Sequence, residues 1–289
     1  MKPFCSFICA VYNREKYLNQ CLDSILSQTN QNFDLIIIND GSTDNSEKII
    51  LSYDDSRIKY HLSDHKGCWT AKNQGIDKAT GEYLCFIDSD DFISSDYLQK
   101  AKAQIKINPL YDYYYPTALH IAREDGTLTD SLWRYISYPI QERQNLIKLF
   151  WERQIGGIPH AGAFIKKDVF ERNGLYNDTY FNLSDTAYVI KNALNIRFYL
   201  LPELQFYYNR QHTNQTNTNF PERNRTFSQI LDSIINDYPS EYFLGEAIDK
   251  NSVIFKEICV QKFMDLASSS NNDESYLKMA QKYLKMLRL

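Results

Sequence analysis

Within the first hundred residues, short apolar runs alternate with segments of helical spacing, and that alternation leaves few folds open. The run Phe33 to Ile38 is apolar at every position except Asp34, as expected of a strand covered on both faces. Phe4 to Val11 and Ile58 to Leu62 read as further strands. Between them, Arg14 to Ser27 places Tyr17, Leu18, Cys21, Leu22, Ile25 and Leu26 at helical spacing. Helices are also expected at Asn45 to Tyr53 and Thr70 to Ala79, and Gly81-Glu82 opens a fourth strand, Tyr83 to Ile87. Strands alternating with helices predict an α/β fold with a mostly parallel sheet and right-handed crossovers.

In such sheets, ligands bind outside the carboxyl ends of the strands. Three polar segments fall there: Tyr12-Asn13, Asn39-Asp40-Gly41-Ser42-Thr43-Asp44, and Asp88-Ser89-Asp90-Asp91. The last sets three carboxylates in four positions after a buried strand. Like charges this close repel one another unless a cation lies among them. Oxygen-only ligands favour Mg²⁺ or Mn²⁺, which take their remaining ligands from phosphate or water. The plainer reading is a polar exit from the strand with no metal. No glycine-rich phosphate loop is present, so a nucleotide held here would have its phosphates bridged by a metal.

Beyond residue 92 the alternation fades. Residues 94–108, 140–154 and Asp185 to Leu194 read as helices. Tyr111 to Thr117, Ala163 to Lys166, Phe198 to Leu200 and Phe206 to Tyr208 read as strands. Residues 222–289 read as a helical tail. Two regions are expected: a catalytic domain over residues 1–215, its nucleotide half within about 1–100 and its acceptor half within about 101–215, and a C-terminal extension over 216–289.

The 289 residues are 43% hydrophobic, enough for a sizeable core. The net charge of −4 comes without a long basic run and argues against nucleic acid as a partner. Six scattered cysteines form no Cys-x-x-Cys pattern and read as reduced, mostly buried thiols of a cytoplasmic protein. No signal peptide or apolar stretch of transmembrane length is seen. The last segment, Tyr276 to Leu289, is a basic amphipathic helix. It would pack against the catalytic domain or a second subunit, or lie at the inner face of a membrane.

The ordered segments Ala10-Val11-Tyr12-Asn13, Asn39 to Asp44, Ala71-Lys72-Asn73-Gln74-Gly75-Ile76, Ala79-Thr80-Gly81-Glu82-Tyr83 and Asp88 to Asp91 together resemble the family 2 glycosyltransferases. These are inverting enzymes of the GT-A fold that use nucleotide-activated sugars, and the resemblance covers about residues 3–215. It implies a UDP-sugar donor and a glycan or lipid-linked acceptor, in assembly of bacterial surface polysaccharides. It implies Mn²⁺ or Mg²⁺ as cofactor. Val11 and Tyr12 line the nucleotide site, and Asp40 matches the carboxylate that accepts the uracil imide N–H, a pairing suited to an acceptor-only group. Asp88 resembles the ribose-binding residue, with Ser89 beside it, and Asp90 the metal ligand. Asp91 would contact the donor sugar or orient the acceptor.

Lys72 stands where the family usually carries Arg, and a lysine cannot make the bidentate fork. In the second half, Phe170 to Asp178 resembles the segment before a catalytic Glu-Asp pair, which here reads Ser184-Asp185. Asp185 is the implied general base; otherwise it is a helix-terminal carboxylate favoured by the macrodipole. Tyr208-Asn209-Arg210-Gln211-His212 resembles a segment whose histidine, here His212, completes the metal's ligands. His160 either shapes the donor-sugar pocket or is a buried structural histidine.

Two further readings compete. A nucleotidyltransferase would need a glycine-rich first loop, and Phe4 to Arg14 has no glycine. A catalytically inactive sugar-nucleotide-binding or scaffold protein would bind UDP without releasing it from any donor.

Overall fold

The computed structural model describes residues 2–122, 128–130, 143–152, 160–180, 182–209 and 220–287. Two compact units divide the chain. The first comprises Met1–Gln141, Gly157–Asp178 and Asn195–His212; the second comprises Glu142–Gly156, Thr179–Leu194 and Thr213–Leu289. The C-terminal residues thus form one unit with two segments from the middle of the chain, an interleaving that a linear division at residue 215 does not contain.

The first unit holds the sheet. Its strands are β1 (Cys5–Val11), β2 (Phe33–Asn39), β3 (Ile58–Leu62), β4 (Tyr83–Phe86), β5 (Phe92–Ile93), β6 (Tyr113–Ala122), β7 (Leu128–Asp130), β8 (Phe164–Lys166) and β9 (Phe198–Asn209). They run in the order β3-β2-β1-β4-β8-β6-β9-β5, with β7 on β6. β3, β2, β1 and β4 are mutually parallel, and the crossovers between them are α1 (Leu18–Leu26), α2 (Ser46–Leu51) and α3 (Cys68–Lys78). β8 then runs antiparallel to β4 and β6. The expected α/β architecture is present, parallel in its first half and mixed in its second.

Both faces of the parallel half are covered, which is why its strands read as unbroken apolar runs. Leu18, Cys21, Leu22 and Ile25 of α1 share a core with Phe7, Cys9, Val11, Leu35 and Ile37. Ile8 points to the other face, as the strand pleat requires, and meets α3. A Cβ at Gly75 would stand 2.4 Å from Ile8 Cγ2, so only glycine lets this helix approach. α4 (Tyr97–Ile107) adds Tyr97, Leu98, Ala101 and Ile105 to the α1 face.

Phe198 to Leu200 and Phe206 to Tyr208 prove to be one long strand, β9. Its register against β6 shifts between Pro116 and Ala118, an irregularity next to a residue that has no ladder N–H. α6 (Lys167–Asn173) was not expected from the sequence. Asp112 is buried at the start of β6, where Arg197 grips it with two hydrogen bonds of 2.9 Å and Arg172 lies 3.2 Å away.

The second unit is helical: α5 (Arg143–Trp151), α7 (Ser184–Lys191), α8 (Phe220–Asp237), α9 (Glu241–Leu244), α10 (Val253–Ser269) and α11 (Glu274–Leu287). Tyr276, Ala280 and Tyr283 of α11 are buried. Tyr283 stacks on Phe263 at 5.9 Å and donates a 2.6 Å hydrogen bond to Asp232 of α8. Much of the apolar face of the last helix is therefore covered by its own chain, with Leu284 left exposed. Among the described residues no helix is long and apolar enough to cross a membrane. All six cysteines are free thiols, five of them buried and Cys68 exposed.

Candidate functional site

Each parallel strand ends in a polar segment, and these segments are tied to one another. After β1, Asn13 N–H donates to Ser42 Oγ (3.1 Å), and Asn13 Oδ1 accepts from Thr43 N–H (2.8 Å). Arg14 N–H donates to Ser46 Oγ at 2.8 Å. The Val11 carbonyl accepts from Asp40 N–H, also at 2.8 Å. The loops after β1 and β2 therefore form one rigid rim.

Asp40 is almost fully buried. Its carboxylate accepts from Lys66 N–H and Gly67 N–H, both at 2.8 Å, which fixes the loop after β3. His65 of that loop adopts a left-handed backbone, with φ 49°. Its ring stacks on Tyr12 with centroids 4.0 Å apart. Tyr12 keeps 38% of its surface exposed, and the stack offers an aromatic face beside a buried carboxylate.

The motif Asp88-Ser89-Asp90-Asp91 is pinned at both ends, by β4 behind and β5 ahead, with Asp91 N–H donating to the Asp88 carbonyl at 2.8 Å. The three carboxylates part company in space. Asp88 is half-buried, and Lys72 Nζ lies 2.8 Å from its Oδ1. Desolvation would raise the Asp88 pKa, but the charge and hydrogen bond of Lys72, with the charge of Arg14, outweigh it and hold the carboxyl below its ordinary value. Asp90 faces Arg14, whose Nε is 3.8 Å from its Oδ2. Asp91 and Ser89 are buried. The cations that temper the repulsion thus include two side chains of this protein, one of which, Arg14, the sequence reading did not single out. Its only sequence signal was a basic residue directly after Tyr12-Asn13.

Lys72 is buried and also lies 4.7 Å from the Trp69 ring. Its single charge is directed at Asp88, a task that needs no fork. The next residue, Asn73, exchanges two hydrogen bonds with the backbone of Tyr176 (3.0 and 3.1 Å). Tyr176 in turn carries its hydroxyl to His160 Nε2 at 3.2 Å. His160 is buried against Phe86. Burial, aided by Lys72, pushes its pKa down to about 3, so the ring is neutral at pH 7.

Among the described residues no three His, Cys, Asp or Glu side chains form a ready-made metal cage. Mg²⁺ and Mn²⁺ need only one or two carboxylates when phosphates complete the shell. The hard carboxylate oxygens of Asp90 suit such an ion. His212 lies outside the described residues. Asp185 belongs to the second unit, in the first turn of α7, where Thr186 N–H donates to its Oδ1 at 2.7 Å. A carboxylate there is favoured by the helix N-terminus. The residue before it, Ser184, is fully buried.

Residues 6–174 match the family described as Glycosyl transferase family 2. The chain belongs to that family. Among its relatives, the glycosyltransferase GlyA of Streptococcus pneumoniae serotype 4 is 32% identical over 215 residues, 70% of this chain and 29% of GlyA. GlyG of the same organism is 37% identical over 123 residues, 39% of this chain and 41% of GlyG. The chain therefore spans less than half the length of either relative. A crystal structure of S. aureus TarS 1-349 in complex with UDP-GlcNAc has the same fold, with a TM-score of 0.67 at 15% identity, covering 97% of this chain and 91% of that one.

Proposed function

We propose that this family 2 chain is a glycosyltransferase that moves a sugar from a UDP-sugar to a hydroxyl of a glycan or lipid-linked acceptor, with inversion, in assembly of bacterial surface polysaccharide. The observation that carries this reading is the meeting of Tyr12, Asp40, Lys72, Asp88 and Asp90 on one rim of the parallel sheet. The likeness to a TarS structure holding UDP-GlcNAc supports UDP as the nucleotide.

In this reading Tyr12 gives the base a stacking face and Asp40 accepts its imide proton. Asp88 receives the ribose hydroxyls, held in place by Lys72. Asp90, joined by His212, would hold Mn²⁺ or Mg²⁺, and the ion would supply Lewis-acid stabilisation of the departing diphosphate. Asp185 is the assigned general base, taking the proton of the acceptor hydroxyl as it attacks the anomeric carbon opposite the leaving group. His160, neutral and tied to Tyr176, is a positioning residue behind Asp88 rather than a proton carrier.

UDP release from a panel of UDP-, GDP- and dTDP-sugars, with Mn²⁺, Mg²⁺ or EDTA, tests the reading. Slow release from one UDP-sugar, lost in EDTA and in Asp90→Ala, is the expected result. Tight metal-dependent UDP binding without turnover of any donor, with or without glycan acceptors, would indicate a binding protein instead.

A further inference from the structure

Arg14 is built into the rim with more care than a surface arginine needs. Its backbone N–H is held by Ser46 Oγ, and its Nη1 donates to the carbonyls of Tyr12 (3.1 Å) and Asn13 (3.0 Å). These bonds curl the side chain over its own loop and hold one amino group of the guanidinium there. Its Nε is nevertheless buried without a hydrogen bond. Asp90 Oδ2, 3.8 Å away, offers charge but lies beyond hydrogen-bond length. A buried donor left unsatisfied is costly, and here it stands beside a carboxylate that the donor reading assigns to a metal ion.

We propose that Arg14 is a phosphate-binding residue of the donor site, its Nε–H and second amino group turning from Asp90 to an oxygen of the nucleoside diphosphate. The assignment rests on the donor-site reading above and adds a cation that the resemblance did not place. It is chemically apt, because a guanidinium presents parallel N–H groups matched to phosphate oxygens. It also fits the layout of the rim, since the guanidinium stands 3.8 Å from Asp90, the residue assigned to the ion. Binding would satisfy the orphan Nε–H and leave Asp90 to the ion. Lys72, already paired with Asp88 at 2.8 Å, has less freedom to do the same.

Calorimetric titration of UDP and of uridine into the wild-type protein, Arg14→Gln and Arg14→Lys, each with saturating Mn²⁺ and again in EDTA, separates the phosphate contact from any change at the metal. Arg14→Gln should weaken UDP roughly 10- to 100-fold, the effect of a charge-assisted hydrogen bond, and leave uridine within about twofold. Arg14→Lys should recover part of the UDP affinity. Equal losses for UDP and uridine would mean that Arg14 only shapes its loop, and an unchanged UDP affinity would remove the contact; either result overturns the proposal. If the wild-type protein itself binds neither compound with or without Mn²⁺, the donor-site reading fails and this assignment falls with it.

Discussion

The rim at the ends of β1 to β4 and the helical unit that carries Asp185 are built by different rules. On the rim, short polar segments have fixed partners: Asp40 holds two loop amides, Asn13 holds Thr43, and Asn73 holds Tyr176. Each partnership demands one residue type at one position. In the helical unit, position is set largely by burial, as with Ile230, Leu231 and Ile234 of α8 or Phe255, Cys259 and Phe263 of α10. Many apolar side chains satisfy that demand. The lesson is that binding geometry leaves motifs in a sequence, whereas helix packing leaves only a period.

The two regions should therefore fail differently when altered. Asp185→Asn is expected to lower transfer by about 10²–10⁴-fold while the dissociation constant for UDP stays near its wild-type value; a parallel loss of UDP binding would show that the division of labour is wrong. Asp40→Ala should do the reverse. It removes the acceptor of two backbone N–H groups, costing about 3 kcal/mol by urea denaturation, and UDP affinity should fall with it.

A smaller effect follows from His160. Its pKa is about 3 in the folded protein against an ordinary value of about 6.5 when unfolded. The unfolded chain therefore binds more protons between these values, and stability must fall as pH drops from about 6.5 towards about 3. Between pH 7 and pH 5 this group alone should cost about 2 kcal/mol, and His160→Gln should flatten that part of the profile. The smallest effect expected is in the helical unit. Tyr283→Phe gives up the hydrogen bond to Asp232 and should cost about 1 kcal/mol, with UDP binding untouched.

Much of the first half was legible because its signals are local. Ile58–Leu62 has the bounds its sequence suggests, and the carboxylates do follow a buried strand. The two-residue β5 and the three-residue β7 are too short to show a period. α6 follows β8 without a break, so no turn signal announces it. The pairing of Arg14 with Asp90 joins residues far apart in the chain, and the neutrality of His160 arises from burial by Phe86 and Tyr176. Neither can be read from neighbours in sequence. The close carboxylates called for a cation, but two candidates, Lys72 and Arg14, lay at a distance that only folding closes.

The most direct test of the account is a crystal structure of the protein with UDP and Mn²⁺. The account predicts the base against Tyr12 and Asp40, the ribose at Asp88, and the diphosphate with its ion at Asp90. Density for UDP away from the carboxyl ends of β1 to β4, or none at millimolar UDP, would contradict it.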